Sequence, residues 1–320
     1  MLLKRLVVLA LGLACSVAAP AQSWPQKPVR FIVPFGAGGV TDVAARIVSE
    51  KLSDAWGQPV IVENRPGAGG SLGAAEAARA APDGYTLFFP SGAVMTANQH
   101  IYEKQTYDPE KDFVPVTNVV TGPMVLIVAA SSPHKTVADF ITAARAAPGK
   151  FSFGHAGVGS QTHLAGENFV YAATIEALAV PYKNDPAAAT DVISGQIQFG
   201  VLNLAAVVGL VGSGRLRALG VTSPAEAPQL PGVPPIAKTL PGFESAGWFG
   251  IVARAGTPRE IVRKIYEDTR LALQDTRVKA RFFALGLTPV GNSPDEMGKA
   301  MAEERALWAK VVRERKIRVQ

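Results

Sequence analysis

Val29-Arg30-Phe31-Ile32-Val33 runs straight into Pro34-Phe35-Gly36-Ala37-Gly38-Gly39-Val40-Thr41-Asp42. The first five residues are mostly apolar and β-branched, which predicts a strand. The glycines mark a tight loop. Beyond it Val43, Ala44, Ile47, Val48 and Leu52 fall on one face of a helix, and Thr41 or Asp42 is placed to cap it. The pattern then returns. Val60-Ile61-Val62 precedes Gly67-Ala68-Gly69-Gly70-Ser71-Leu72-Gly73 and an alanine-rich helix, and Tyr85-Thr86-Leu87-Phe88-Phe89 ends at Ser91-Gly92. Strands alternating with helices predict an α/β fold, with a parallel sheet and crossover helices.

A second series of the same kind follows. Met124 to Ala130, Phe151-Ser152-Phe153, Ala179 to Tyr182, Ile197 to Val201 and Leu216 to Val221 are strand-like. Between them, helices are predicted over Val137 to Ala147, from Gly157–His163 onward, and over Pro186 to Ser194. Prolines at 224, 228, 231, 234, 235 and 241 make an irregular connection. Trp248 to Val252 is one more strand. Two helices, Pro258 to Leu273 and Pro294 to Arg315, then close the chain and need a sheet to pack on. The expected organisation is a first domain over 22–124 plus 240–320 and a second over 125–239. Two segments cross between them, and a cleft lies at the junction.

Composition narrows the function. Of 320 residues 48% are hydrophobic and 18% charged, too apolar for a disordered chain and too weakly charged for a coiled coil. The net charge of +6 comes from scattered Lys and Arg, so no nucleic-acid partner is implied. Residues 1–21 read as an export signal, with basic Lys4-Arg5, an apolar run from Leu6 to Ala14, and Ala19-Pro20-Ala21 as a small-residue cleavage site. Cys15, the single cysteine, lies inside it. A lipoprotein reading would make Cys15 the new N-terminus, but Gly12 stands where leucine is usual. Without that segment the chain has no thiol for a disulfide or a thiolate metal site, and no other apolar run reaches about 18 residues. An exported, soluble protein is expected.

Motifs for catalysis are missing. Gly67 to Gly73 has one residue too many for a dinucleotide fingerprint. There is no phosphate-binding loop with Lys-Ser/Thr, no His-Glu-x-x-His and no Gly-x-Ser-x-Gly elbow. His100, His134, His155 and His163 lack metal-ligand spacing, so neither a metal nor a cofactor is expected. Ser160 and His163 are close in sequence, but a hydrolase would need a third member and an elbow. What remains is four loops at strand–helix junctions, 34–42, 67–73, 91–98 and 156–163. They expose backbone N–H groups at helix N-termini and contain no Lys or Arg. Such ends bind anions, although glycine turns also serve tight backbone geometry alone.

The chain resembles the exported solute-binding proteins of tripartite tricarboxylate transporters, the Bug or TctC family. The matching stretches include Trp24-Pro25-Gln26-Lys27-Pro28, Val62-Glu63-Asn64-Arg65-Pro66-Gly67-Ala68-Gly69-Gly70, Ala81-Pro82-Asp83-Gly84-Tyr85, His163-Leu164-Ala165-Gly166-Glu167, Val180-Pro181-Tyr182-Lys183 and Ala255-Gly256-Thr257-Pro258. The resemblance implies a two-domain, hinge-closing periplasmic binding protein of the type II class. It would be a monomer and no enzyme, delivering a small carboxylate to membrane permease subunits. A periplasmic partner that presents its ligand to a membrane signalling kinase is the alternative.

Carried onto this chain, the ligand residues are Phe35, Gly38, Gly39, Thr41 and Asp42 in the first loop, Gly70 and Ser71 in the second, and Ser91 and Asn98 in the third. Gly157, Gly159, Ser160, Thr162 and His163 form the fourth. Tyr182, Asn184 and Asn203 face the cleft from the second domain. Phe35 is open to two roles, ligand packing or core cover, as are Asp42, cap or contact, and Tyr182, cleft or hinge. The chain departs from the family pattern at Asn184-Asp185, where Gly-Ser is usual, at Ser160-Gln161-Thr162, where Thr-Pro-Ser is common, and at Leu202, where an acidic residue often stands. Losing that acid argues for a dicarboxylate, aliphatic or aromatic, over an amino acid. Asp185, as a charge partner, argues the other way.

Overall fold

The computed structural model describes residues 24–315 and 317. The export signal read at 1–21, with Cys15, lies outside the described residues. Strand β1 (Val29–Val33) is buried at every position but Arg30. It pairs in parallel with β2 (Val60–Asn64) and β3 (Thr86–Phe88), and the helices α1 (Val40–Trp56) and α2 (Ser71–Ala78) connect them. The cap of α1 is Gly39, with no side-chain hydrogen bond. The helix thus begins before Thr41 and Asp42, and neither is its cap. Two short helices, α3 (Gly92–Thr96) and α4 (Asn98–Ile101), follow β3.

The next strand, β4 (Phe113–Ala129), is 17 residues long. From sequence a strand is expected only from Met124 to Ala130, and the residues ahead of it include Pro115, Gly122 and Pro123, which disfavour a ladder. Pro115 sits beside an irregularity, the register with its neighbour shifting between Pro115 and Thr117 and again between Asn118 and Val120, whereas Pro123 stays in register. Beyond it come α5 (Val137–Ala146), β5 (Phe151–His155), α6 (Gln161–Ala173), β6 (Ala177–Pro181), α7 (Asp185–Ser194), β7 (Phe199–Asn203), α8 (Leu204–Gly212), β8 (Leu216–Val221) and β9 (Ala246–Arg254). The last part is α9 (Arg259–Gln274), α10 (Thr276–Ala284), β10 (Thr288–Pro289) and α11 (Pro294–Arg315). Three helices therefore end the chain, not the two expected. Asp275, accepting from Arg277 and Val278 N–H, starts the additional one, α10.

The strand order is β2-β1-β3-β9-β4-β7-β5-β6, with β8 and β10 also on β4. The sheet is mixed rather than parallel. β1, β2 and β3 run parallel, as do β5, β6 and β7, but β9 lies antiparallel to β3 and β4, and β4 antiparallel to β7, β8 and β10. The first half of β4 pairs with β9, and its second half, Met124 to Ala129, pairs with β7 and β8. One strand thus belongs to both lobes. At the crossover Gly122 faces Gly247 and Pro123 faces Ala246, so the two crossing segments lie side by side. Thr222 ties them together. Met124 N–H donates to its Oγ1 at 2.8 Å, its own N–H donates to Met124 O at 2.9 Å, and its hydroxyl donates to Ser245 O.

Each lobe has its own core. In the first, α1, α9 and α10 cover β1, β3 and β9 through Ile47, Leu52, Ile265 and Phe282. In the second, Phe140 from α5 meets Phe151, Phe169 and Phe199 at centroid separations of 5.4, 6.1 and 4.9 Å. Leu240 and Phe243 also pack there. Phe140 is fully buried, so Phe140→Ala is expected to cost about 3–5 kcal/mol, read as a lowered urea midpoint, with a smaller loss for Phe140→Leu. A midpoint unchanged by the alanine would deny this ring its central place in the core.

Candidate functional site

Helices whose first turns face one space gather unpaired N–H groups there. Between the lobes lies a small cavity. Its lining includes the N-cap residues of four helices of nine residues or more: Gly39 of α1, Ser160 of α6, Asn184 of α7 and Asn203 of α8. Ser91, which caps the short α3, adds a hydroxyl. Phe35 and Phe249 supply apolar surface, and Thr41, Gln161, Thr162 and Asp185 complete most of the wall. Ser160 and Asn184 spend a side-chain oxygen on their own helices, accepting from His163 N–H and Ala187 N–H. Ser91 Oγ and Gln161 Oε1 are buried with no hydrogen-bond partner among the described residues. No Lys or Arg lines the space among the described residues.

The lobes touch across this cavity. Gly36 N–H donates to Lys183 O at 3.3 Å, Asn184 Nδ2 to Ala37 O at 3.1 Å, Tyr102 Oη to Val158 O at 2.6 Å and Gln161 Nε2 to Trp248 O at 2.8 Å. Two glycines make the approach feasible. A Cβ on Gly69 would fall 1.9 Å from Val158 O, and one on Gly159 2.5 Å from Asn98 Oδ1. Both also hold left-handed φ, +59° and +81°.

Eight of the residues expected from sequence line the cavity: Phe35, Gly39, Thr41, Ser91, Ser160, Thr162, Asn184 and Asn203. Gly70, Gly157 and Tyr182 line a second cavity beyond Phe35, and the Tyr182 hydroxyl donates to Asp191 at 2.7 Å. Gly38, Asp42, Ser71, Asn98, Gly159 and His163 line neither space. Asp42 accepts from Gly38 N–H, Arg46 and Asn64 Nδ2. Burial pushes its carboxyl up, but Arg46 and the two other donors outweigh this and hold it below its ordinary range. Asn98 Nδ2 donates to Gly69 O at 3.0 Å.

The Thr162 hydroxyl accepts from Ala156 N–H and donates to Asp185 Oδ1, each at 3.0 Å. Sequence reasoning missed Ala156 and Phe249, did not single out Val40 and Gln161 within their loops, and gave Asp185 only as a departure that could supply a charge partner. Only Gln161 carried a signal, as a long polar side chain between two loop hydroxyls.

A profile of the tripartite tricarboxylate transporter family receptor, TctC, matches residues 44–317. Protein BugT of Bordetella pertussis is 35% identical over 316 residues, 97% of this chain and 97% of BugT. Among solved structures, R. palustris Rpa4515 with adipate is similar at TM-score 0.90 and 34% identity, covering 93% of this chain and 100% of that one. MatC (Rpa3494) from Rhodopseudomonas palustris with bound malate is similar at TM-score 0.86 and 30% identity, covering 90% of this chain and 100% of MatC. The family and the two-domain periplasmic-binding fold read from the motifs agree with these matches.

Behind the fourth loop His155 and His163 lie with ring centroids 4.4 Å apart. His163 Nδ1 accepts from Gly159 N–H at 3.2 Å. Burial pushes His155 down to about 4, and burial together with repulsion from His155 pushes His163 down to about 3. Both stay neutral in the folded chain at neutral pH, whereas in the unfolded chain they protonate near 6.5, the ordinary histidine value. The unfolded state therefore takes up more protons below that value. The contribution is fully present above pH 6.5 and is lost as pH falls toward 4 and then 3. Melting temperatures should drop on acidification from neutral pH, and His163→Gln should make the decline shallower. An unaltered slope in that variant would remove His163 from the acid response.

Proposed function

The chain belongs to the tripartite tricarboxylate transporter receptor family, whose members are periplasmic solute-binding proteins and not enzymes, and from that premise we propose that it captures a small carboxylate, a dicarboxylate foremost, in the interlobe cavity and delivers it to a membrane permease. One observation supports the reading above the others. Four helix N-termini converge on one cavity that holds no Lys or Arg among the described residues. Each end carries about half a positive elementary charge, so an anion is stabilised by fixed dipoles. Adipate and malate in two similar structures point to the same ligand class. Export to the periplasm with removal of residues 1–21 is part of this proposal and rests on the basic head and the apolar run.

In this mechanism the ligand docks on the first lobe. One carboxylate meets the ends of α1 and α3 through Gly39, Thr41 and Ser91, and the carbon skeleton lies along Phe35 and Phe249. The second lobe then closes about the β4–β9 crossover, bringing Ser160, Gln161, Asn184 and Asn203. Closure expels water, and each polar contact strengthens in the drier site. Gly69 meets Val158 only in this closed arrangement.

The test is ligand-dependent stability. Dicarboxylates of four to six carbons should raise the melting temperature, by an amount that corresponds to about 2.7 kcal/mol at a concentration a hundredfold above Kd. Ser91→Ala should weaken binding by about tenfold, or ~1.4 kcal/mol. The unliganded fold should lose nothing, because the hydroxyl removed has no partner among the described residues. Gly69→Ala, at the cost of local strain from the left-handed φ, should hold the lobes apart, seen as a larger radius of gyration with ligand and a lost thermal shift. A panel in which only sugars or amines stabilise the protein would overturn the carboxylate reading.

A further inference from the structure

Among the described residues Asp185 is the one ionisable side chain lining the central cavity. It is 3% exposed. Its Oδ1 accepts from Thr162 Oγ1 at 3.0 Å and its Oδ2 from Asn203 Nδ2 at 2.6 Å, both neutral donors. No cation pairs with it among the described residues. On its own helix Asp191 is occupied by Tyr182. β5 contributes His155 and α6 contributes His163, both neutral, together with Glu167, whose carboxyl burial pushes up. β4, β7 and α8, packed on α7, carry no titratable side chain. Across the cleft α1 brings Asp42, already paired with Arg46 at 2.9 Å. Lys183 lines the neighbouring cavity instead and forms no ion pair with Asp185 among the described residues. A buried carboxylate with no cation is costly, and here it stands in the wall of a site proposed for acids.

We propose that Asp185 sets the chemistry of the ligand's second end: that end presents a hydrogen-bond donor to the Asp185 carboxylate, and a dicarboxylate supplies it by taking up one proton from solvent as it binds. The inference rests on the carboxylate reading given above. The first carboxylate of the ligand takes the helix ends of the first lobe. The second meets Asp185 in a space too dry for two adjacent anions, and such pairs share one proton. No bond other than that to the proton changes. Burial of Asp185, which raises its carboxyl above the ordinary range against the pull of Asn203 and Thr162, acts in the same sense. A ligand with an amide or ammonium at that end meets the requirement with no proton uptake.

Calorimetry of the exported chain with adipate, in two buffers of different ionisation enthalpy, counts the protons directly. About one proton per adipate is expected, with Kd rising by up to about tenfold per pH unit between roughly pH 6 and 8. Adipamate, the half-amide, should bind with no proton uptake and a Kd flat over that range, a comparison that needs no variant. Asp185→Asn should bind adipate with the proton count reduced to about zero. Adipate binding to the wild type without proton uptake overturns the assignment to Asp185 and leaves carboxylate capture standing. Failure of every mono- and dicarboxylate to bind overturns the reading beneath it.

Discussion

A helix leaves its first N–H groups without partners, and burying them requires something to accept those hydrogens. The cleft depends on this constraint. Four helices of nine residues or more have their N-caps in its wall, and only two of those caps, Ser160 and Asn184, supply a side-chain oxygen to their own helix. The site is therefore polar without a cation among its described lining residues. A lysine or arginine in its place would bind an anion more tightly but would have to be stripped of water each time the lobes open and close. Neutral dipoles keep that cost small, which suits a protein that must release what it captures.

Closure has its own physical requirements. The lobes share β4 and are joined again at β9, with the two strands adjacent at Gly122–Gly247 and Pro123–Ala246. A bend confined to adjacent crossing segments changes the angle between lobes while leaving both cores intact. Four neutral hydrogen bonds hold the lobes together around the cavity, each worth about 1 kcal/mol net. A contact set of that size does not fix the closed state by itself, so a ligand bridging the two walls can govern the equilibrium.

Much of the architecture could be read from the chain because local and tertiary preferences agree. β1 is buried on both faces and reads as an apolar run, and the glycine loops after β1 and β5 open real helices. The mixed sheet could not be read that way. β4 carries Pro115 and Pro123, residues that local rules exclude from a ladder, and the strand exists because β9 on one side and β7 with β8 on the other supply partners from more than 70 positions away. The site divides similarly. Gly39, Ser91 and Ser160 announce themselves as loop residues ahead of helices. Phe249 and Ala156 are ordinary strand or turn residues that enter the wall only because two lobes meet.

Asp42 and Asp185 make the limit of local reading concrete. Both lie in the first turn of a helix, where an anion is favoured by the dipole, and both are almost fully buried. Arg46, one turn on from Asp42 on the same helix, neutralises it, and Asn64 on β2 adds a further donor. That pairing is spelled out in the i and i+4 spacing. Asp185 has Pro186 to Ala189 after it and finds only Thr162 and Asn203, both distant in sequence. The same residue type at equivalent helix ends is thus structural in one lobe and an uncompensated charge in the other. The difference is set by whether a cation occupies the next turn, and it leaves one wall of the cavity demanding a proton that the other wall does not.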